Sequence, residues 1–592
     1  MEAIRSMWTC THFRYFLQMA VREDETTASV GGGNVSDPSE VPGWSAIDVL
    51  IVGALICFGV ILPVLASIGF HTVGIPQDDD WSYRLIATNF EQTGHLVFDG
   101  WNSMTLVGQV VAAWPLLHLF GDHGWVFTGF GALLGTIAIV AAYVIARHVL
   151  TRWWAWAAVA LLLVVPGFTW STSTFMTDVP ALAAELTCLA LGLAALGRQG
   201  SARWWFLGGA LVVGVFGFSI REFAIAAPVA VILSAAAGDR RHWRVYVGLG
   251  AAVLVVSGIV YLCATSIAGS QPSTIGRPTH LSVEHVVQLY FEIALLLSPA
   301  VLLSSWRRFR WALSRQVVVG ALTLLVGIGV LHYGLFLGDG LNQQGLFGAV
   351  VMVGGRQVVL PGPLWDLLLL VGLVSGALLA GLIASIDMAE LRTWRCWPTG
   401  RPEGLLCVFA VLYAVGLVAY GLAQTTYFDR YAWPLVFVGG ILLLRDCQQH
   451  PLGARHRSAV TLAAVLGLLL VAVSVVLTVD AYTYSAARWR AGQLAVAHGI
   501  SAHSVDAGFE WVGNHARSNA DSSLRPRAPT YERWYGLMEP GFRECAVVTE
   551  SPFSAPGMHL LQTTEYQRYG FAGRTPLYIY VSSAPECRHA DP

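Results

Sequence analysis

The chain has 592 residues, of which 55% are hydrophobic and only 12% are charged. Soluble globular proteins carry about 25% charged residues, so the composition excludes a soluble multidomain protein. All 35 basic residues are Arg, 37 acidic residues nearly balance them, and no basic run occurs outside short loops. Nucleic acid is therefore not an expected partner. The long apolar blocks predict an all-α polytopic membrane protein.

Taken in chain order, the sequence predicts three parts. Residues 1–45 are rich in Gly, Ser and acidic residues and predict a disordered cytoplasmic tail. Residues 46–479 contain roughly thirteen stretches that are long and apolar enough to predict transmembrane helices. The first outer loop, 71–123, is expected to contain interfacial helices, one of them at Met104–Phe120. Residues 480–592 are less apolar and predict a small extracytoplasmic domain.

The arginines of the loops predict the orientation of the chain, because positively charged loops tend to stay in the cytoplasm. Most of them fall on one side of the predicted spans. The five on the other side are Arg84, Arg221, Arg277, Arg356 and Arg430. We therefore expect an inner-membrane protein with its N-terminus inside and its C-terminal domain outside. Of the nine Cys, only Cys545 and Cys587 then lie outside, either as a disulfide or as two unpaired buried thiols.

The first outer loop contains three consecutive carboxylates, Asp78, Asp79 and Asp80, followed by Trp81 and Tyr83. Adjacent carboxylates repel one another, so the cluster needs a cation, an Arg or solvent to compensate it. The aromatic residues predict a helix that returns to the membrane surface. The alternative is a solvated acidic loop in which one Asp caps that helix.

Other charged residues lie at the same predicted outer face. Asp178 begins the fourth span, where it could equally cap the helix. Arg221 and Glu222 form a tight turn, and because helix neighbours do not face each other, at least one needs another partner. Arg suits phosphate, whereas the alternative is an Arg that snorkels to the surface. Asp429 and Arg430 lie among aromatic residues, where an interface anchor is the alternative.

These residues, in this order, resemble the GT-C superfamily of polyprenyl-phosphate-sugar-dependent glycosyltransferases. The nearest likeness is to bacterial relatives of protein O-mannosyltransferases and of the aminoarabinose transferase that modifies lipid A. The resemblance covers about residues 46–445, and its motifs are Asp79-Asp80-Trp81-Ser82-Tyr83, Thr177-Asp178-Val179-Pro180, Arg221 and Arg430-Tyr431-Ala432-Trp433-Pro434. This chain departs from the family in its acidic triplet, which leaves the position of the base open, and in having no Lys at the place of Arg221.

The resemblance implies an inverting transfer of a sugar from a polyprenyl-phosphate donor to a glycan, lipid or protein of the cell envelope. Asp79 would be the general base, with Asp80 and Asp178 as further catalytic residues. Arg221 and Arg430 would bind the donor phosphate. The remaining candidates for acceptor or metal contacts are Asp78, Glu222, Asp429 and Tyr83. No cofactor is required, and a divalent cation (Mg, Mn or Ca) on Asp78 and Asp80 is optional.

Two other classes of function compete with this interpretation. A transporter or lipid flippase without transferase activity is also polytopic and also carries charges within its spans. A non-catalytic envelope assembly protein is the third class. Convergence of Asp79, Asp178, Arg221 and Arg430 on one outward-facing site favours transfer.

In the C-terminal region, the segment 505–513 with Glu510 is interpreted either as sugar contacts or, preferably, as a solvated surface.

Overall fold

The structure of the protein is a computed structural model. It describes residues 44–98, 102, 104–267, 283–308, 315–330, 334, 336–346, 356–385, 401–423, 428–449, 457–515, 544–552, 554–570 and 572–587. Nearly all of the predicted tail at 1–45, and Arg277 among the outer arginines, lie outside the described residues.

The described part of the chain is mostly helical. Its principal helices are α1 (Ala46–Gly69), α2 (Asp80–Thr93), α3 (Val107–Phe120), α4 (Gly124–Val149), α5 (Arg152–Leu163), α6 (Asp178–Leu196), α7 (Gly200–Phe218), α8 (Glu222–Gly238), α9 (Trp243–Ile267), α10 (Val283–Leu296), α11 (Ser298–Arg308), α12 (Arg315–Val330), α13 (Gly362–Ala384), α14 (Pro402–Ala423), α15 (Trp433–Gln449), α16 (Arg457–Ala497) and α17 (Phe509–His515).

Eight of the described helices are long and apolar enough to cross a membrane, or nine if α10 and α11, which meet at 75°, form one broken span. The predicted count of thirteen is therefore not confirmed. The apolar blocks at 153–171, 222–238 and 316–337 contain helices of 12, 17 and 16 residues. At about 1.5 Å per residue, these helices are shorter than the roughly 30 Å of hydrocarbon that a straight span must cross.

The start of α1 is fixed by a buried polar cluster. Ser45 caps the helix in a reciprocal pair of hydrogen bonds with Asp48. The Tyr143 hydroxyl donates to Asp48 over 2.7 Å, and Arg147 lies 3.4 Å from the same carboxylate. These contacts bind the beginning of α1 to the end of α4. Because the acidic triplet follows the other end of α1, it lies at the opposite end of this helix from Arg147.

The short helices α2 and α3 lie in the loop between α1 and α4, which the sequence predicts to be the first outer loop. The α2 helix buries Trp81 and Tyr83, each 1% exposed. The α3 helix begins against the turn that precedes α8, where the Gly108 amide donates to the Ser219 carbonyl over 2.9 Å. A Cβ at Gly108 would lie 2.1 Å from the Ser219 hydroxyl oxygen, so only glycine fits this approach. The loop helices are thus packed onto the end of the membrane bundle.

The C-terminal region contains a four-stranded sheet, a feature that the all-α prediction did not include. Strands β1 (Val505–Asp506), β2 (Ala546–Thr549), β3 (Met558–Gln567) and β4 (Arg574–Ser582) lie in the order β1-β2-β4-β3. Only the β1–β2 pair is parallel. Cys545 and Cys587 form a disulfide between the residue before β2 and the segment after β4.

The sheet packs on the far end of α16, a single helix of 41 residues. A shared apolar cluster joins the two, with Tyr484 and Ala491 from the helix and Val548 and Leu577 from the strands. The domain boundary that the sequence predicts between residues 479 and 480 falls within this unbroken helix. The division into two domains there stays a prediction.

Candidate active site

The carboxylates of the acidic triplet diverge, although the three residues are consecutive. Asp78 has a left-handed backbone conformation, with φ of 54°. Its side chain, with that of Asp79, points toward Arg430. The side chain of Asp80 points instead toward Arg84 in α2. Asp78 and Asp79 thus lie beside Arg430, whereas Asp80 lies beside Arg84.

Asp80 is fully buried and its oxygens are engaged in structural contacts. It accepts hydrogen bonds from the Gln77 amide at 2.6 Å, from Arg84 at 2.7 Å and from the Phe175 amide at 3.2 Å. Burial raises the pKa of Asp80 to about 6, against the opposing effect of Arg84. These bonds tie the triplet to α2 and to the segment before α6. The described contacts of Asp80 position the loop, and its predicted catalytic role stays a prediction.

Arg430 is the centre of the charge cluster, and its side chain is 3% exposed. Four carboxylates surround its guanidinium: Asp78 at 3.1 Å, Asp339 at 3.1 Å, Asp79 at 3.6 Å and Asp178 at 3.6 Å. They come from the loop between α1 and α4, from the segment before α13 and from the start of α6. One arginine therefore holds together three chain segments that are distant in sequence.

Arg221 is the second cation of the cluster. Its Nη1 lies 2.9 Å from Asp178, and its Nε donates to the Thr177 hydroxyl over 2.7 Å. The guanidinium carbon lies 5.0 Å from the centre of the Tyr431 ring. The Nη2 atom is buried and has no hydrogen-bond partner among the described residues. Asp178 thus lies between the two arginines, and Arg221 keeps one donor available for another acceptor.

Asp429, a predicted acceptor or metal contact, is engaged in holding a neighbouring loop. Its carboxylate accepts from the Gly340 amide at 2.8 Å and from the Leu341 amide at 2.9 Å. These bonds position Asp339, which sequence analysis did not identify. Asp339 thus lies beside Arg430, and the predicted acceptor or metal contact of Asp429 stays a prediction.

The two remaining candidates are placed differently. Tyr83 is 1% exposed, and burial, followed by the charge of Asp79, raises the pKa of its hydroxyl. Glu222 follows Arg221 in the chain but forms no ion pair with any residue that the structure describes. The predicted turn therefore contributes its arginine to the cluster and not its glutamate.

The cluster has more carboxylates than guanidinium groups. Burial, followed by repulsion from Asp79, raises the pKa of Asp78 well above the ordinary carboxyl value, with Arg430 opposing the shift. Burial likewise raises the pKa of Asp339 to about 8. At a pKa of about 8 the Asp339 carboxyl group holds its proton at neutral pH, and groups with perturbed pKa values are typical of sites that accept and release protons.

A metal shared by Asp78 and Asp80 does not fit this arrangement. The two side chains are paired with different arginines, Asp78 with Arg430 and Asp80 with Arg84. Within the described ranges, no three His, Cys, Asp or Glu side chains are grouped as metal ligands. We therefore derive no step through a metal ion.

A small cavity of about 20 Å³ adjoins the two arginines, enough for about one water molecule. It is lined by Asp178, Ala181, Leu182, Glu185, Arg221, Phe223, Tyr413, Arg430, Tyr431, Trp433 and Pro434. Glu185 is 2% exposed, and one of its carboxyl oxygens has no hydrogen-bond partner in the described part of the chain. It lies within a predicted span and was missed by sequence analysis. A sugar phosphate is much larger than this cavity, so the site must open to bind one.

Residues 110–265 match the family model for dolichyl-phosphate-mannose-protein mannosyltransferase. This match confirms the predicted resemblance to the GT-C superfamily. No curated protein sequence matches the chain.

Two solved structures are also similar to the chain. ArnT from Cupriavidus metallidurans, bound to undecaprenyl phosphate, has 12% identity and a TM-score of 0.45, with 93% of this chain and 100% of ArnT covered. The oligosaccharyltransferase AglB from Archaeoglobus fulgidus, in complex with an inhibitory peptide and a dolichol-phosphate, has 15% identity and a TM-score of 0.37. That alignment covers 82% of this chain and 62% of AglB.

Proposed function

We propose, from the similarity of this chain to the GT-C superfamily, that it is an inverting glycosyltransferase using a polyprenyl-phosphate-linked sugar. The acceptor is a glycan, lipid or protein of the cell envelope, and transfer takes place on the outer face of the cytoplasmic membrane. One observation carries the proposal: carboxylates from the first outer loop and α6 meet two buried arginines in a single cluster. A carboxylate beside phosphate-binding cations is what this reaction needs.

In the proposed reaction Asp79 is the general base. Of the triplet, its side chain is the most exposed, at 20%, so an acceptor hydroxyl can reach it. The carboxylate takes the hydroxyl proton as the acceptor oxygen forms a bond to the anomeric carbon. The bond from that carbon to the phosphate oxygen breaks, and its electron pair leaves with the lipid phosphate. The configuration at the anomeric carbon is inverted.

The arginines stabilise the leaving phosphate, which gains a negative charge during the reaction. Arg221 offers its available Nη2 donor, and Arg430 offers donors that now pair with Asp78 and Asp339. A phosphate competes with these carboxylates for Arg430, and a planar guanidinium binds it through two parallel hydrogen bonds. Once the site has opened and the donor is bound, both cations are in place before the bond breaks, so little further reorganisation is needed as charge develops.

An apolar groove of about 410 Å³ between α10 and α12 suits an isoprenoid chain. Val286, Tyr290 and Val319 are among the residues that line it. The α10 helix also carries Glu292, whose carboxylate accepts from the Leu337 amide, two residues before Asp339. The same helix therefore connects a lipid-facing groove with the loop that supplies a carboxylate to Arg430.

Transport of a lipid-linked sugar without transfer is the second candidate. Two observations favour it: α10 and α11 meet at 75°, and Glu185 and Glu292 are buried carboxylic acids within apolar helices. Broken helices and charges within spans are typical of transporters. The transfer proposal is preferred because the partly exposed Asp79 and both arginines belong to one cluster at the ends of the helices.

The test is to incubate membranes that contain the protein with radiolabelled undecaprenyl-phosphate pentoses and hexoses and to identify any labelled product. Transfer predicts label on an envelope acceptor together with release of undecaprenyl phosphate. Movement of the intact donor across the membrane, with no new glycosidic bond, would establish the transport alternative instead.

A further inference from the structure

The C-terminal segment around Glu510 is packed against the acidic loop. Phe509, Glu510 and Trp511 are all buried, with exposed fractions of 6%, 7% and 2%. The Phe509 ring meets Trp81 edge-on, with ring centres 5.9 Å apart. A Cβ at Gly513 would lie 2.3 Å from the Trp81 ring, so the helix α17 approaches α2 as closely as glycine allows. The segment is therefore an interior element of the protein, contrary to the solvated surface predicted from sequence.

Glu510 joins this segment to the triplet through a hydrogen bond to the main chain. The Asp78 amide donates to Glu510 Oε1 over 3.1 Å. The other carboxyl oxygen, Oε2, pairs with Arg488 of α16, which is 3% exposed. One carboxylate thus connects the longest helix of the described chain with the backbone of the acidic loop.

The hydrogen bond to Glu510 is made by the residue of the acidic loop that has a left-handed backbone conformation. Asp78 has φ of 54°, a conformation that residues with a side chain rarely adopt. This conformation directs the side chains of Asp78 and Asp79 toward Arg430. A buried amide must find a hydrogen-bond acceptor. By accepting from the Asp78 amide, the Glu510 carboxylate favours the left-handed conformation of Asp78 over extended backbone conformations.

We propose that Glu510 is a positioning residue that holds the backbone of Asp78 so that the Asp78–Asp79 pair faces Arg430. The proposal rests on the proposed function, because it assigns Glu510 to the pair that contains the base. It also makes the C-terminal region part of the machinery of the membrane site.

A pair of double variants tests the role of the acceptor oxygen. Arg488→Met with Glu510→Met removes the acceptor and leaves no unpaired buried charge, a kind of exchange that proteins often tolerate. Arg488→Met with Glu510→Gln keeps an amide oxygen at the same place and is the matched control. Glu565→Gln, at an exposed ion pair with Arg574, controls for changes elsewhere in the C-terminal region.

Two measurements on the full-length protein in nanodiscs decide the outcome. The first is hydrogen exchange at the Asp78 amide, which does not depend on knowing the sugar. We expect exchange to rise by about tenfold or more in the Met/Met variant and to stay near wild type in the Met/Gln variant. The second is transfer from the radiolabelled undecaprenyl-phosphate sugar that the wild type uses. We expect kcat to fall by about tenfold in the Met/Met variant, with the donor KM unchanged and most of the turnover kept in Met/Gln.

Unchanged amide exchange in the Met/Met variant would overturn the inference, whatever its activity. Faster exchange with full turnover would overturn it as well, provided that Asp79→Asn is inactive. If Asp79→Asn retains wild-type transfer, or the wild type transfers none of the sugars, the proposed function itself fails and the assignment of Glu510 falls with it.

Discussion

Arg430 donates a hydrogen bond to Asp78 over 3.1 Å, although 352 residues separate the two in the chain. The contact joins the loop between α1 and α4 to the turn before α15. It also means that the cation proposed for the donor phosphate is already neutralised by a carboxylate. Binding of a phosphate to Arg430 must therefore loosen Asp78, which couples arrival of the donor to the state of the acidic loop.

Arg221→Met is expected to weaken use of the donor selectively. Loss of a charge-assisted hydrogen bond corresponds to a rise of about 10-fold to 100-fold in the KM for the polyprenyl-phosphate donor. Asp178 remains within 3.6 Å of Arg430, so the variant does not leave that carboxylate without a cation. Steady-state transfer at varied donor and acceptor concentrations measures the effect, with Arg198→Met at the other end of α6 as the control. Equal increases in both KM values would argue against a phosphate contact.

Transfer is expected to depend on the ionisation of Asp78. Burial and the charge of Asp79 raise the pKa of Asp78, and only its ionised form pairs with Arg430. Activity should therefore fall as the pH drops through this raised pKa. This fall is the acidic limb of the profile of kcat against pH. Because Asn does not titrate, the acidic limb should flatten or move to lower pH in Asp78→Asn. An acidic limb identical in the two proteins would refute the assignment.

Asp339→Asn is expected to change the pH dependence of stability. The folded-state pKa of Asp339 is raised to about 8, so its contribution is fully present below the ordinary carboxyl pKa and is lost as pH rises through about 8. The Asn side chain does not titrate. We therefore expect the difference in Tm, Asp339→Asn minus wild type, to be greater at pH 8 than at pH 5 by about 2–4 °C. Thermal unfolding in detergent measures this, and a difference in Tm that does not vary with pH would contradict it. Glu565→Gln is the control.

Removal of divalent metal is expected to leave transfer unchanged within about twofold, because arginines already compensate the carboxylates of the cluster. Transfer by purified protein in excess EDTA, with and without added Mg, Mn or Ca, tests this. Loss of activity in EDTA that one of these ions restores would show that a cation belongs to the site.

Sequence alone predicted that Asp79, Asp178, Arg221 and Arg430, four of the six charged residues of the cluster, converge, because charges beside long apolar blocks are few and costly. The sequence could not distinguish the role of Asp80 from the roles of Asp78 and Asp79. Three consecutive carboxylates look alike in sequence, and the start of α2 turns only Asp80 toward Arg84. The convergence itself rests on contacts between distant segments, which no local pattern reports.

Asp339 and Glu510 were missed or misassigned for the same reason. Asp339 is positioned by hydrogen bonds from its loop to Asp429, and Glu510 is buried where α17 packs on Trp81. Hydropathy located the apolar blocks but not their breaks. The block at 288–305 contains the 75° bend between α10 and α11, which leaves its mean hydropathy unaffected.

The most direct test of the central claim is turnover by Asp79→Asn beside Asp122→Asn, a matched change at an exposed Asp of the same loop between α1 and α4. Both are measured as transfer from a radiolabelled undecaprenyl-phosphate sugar, with thermal unfolding as the check of folding. Loss of a general base predicts that Asp79→Asn transfers about 100-fold to 10,000-fold more slowly, whereas Asp122→Asn matches wild type. A folded Asp79→Asn protein with wild-type turnover would contradict the account.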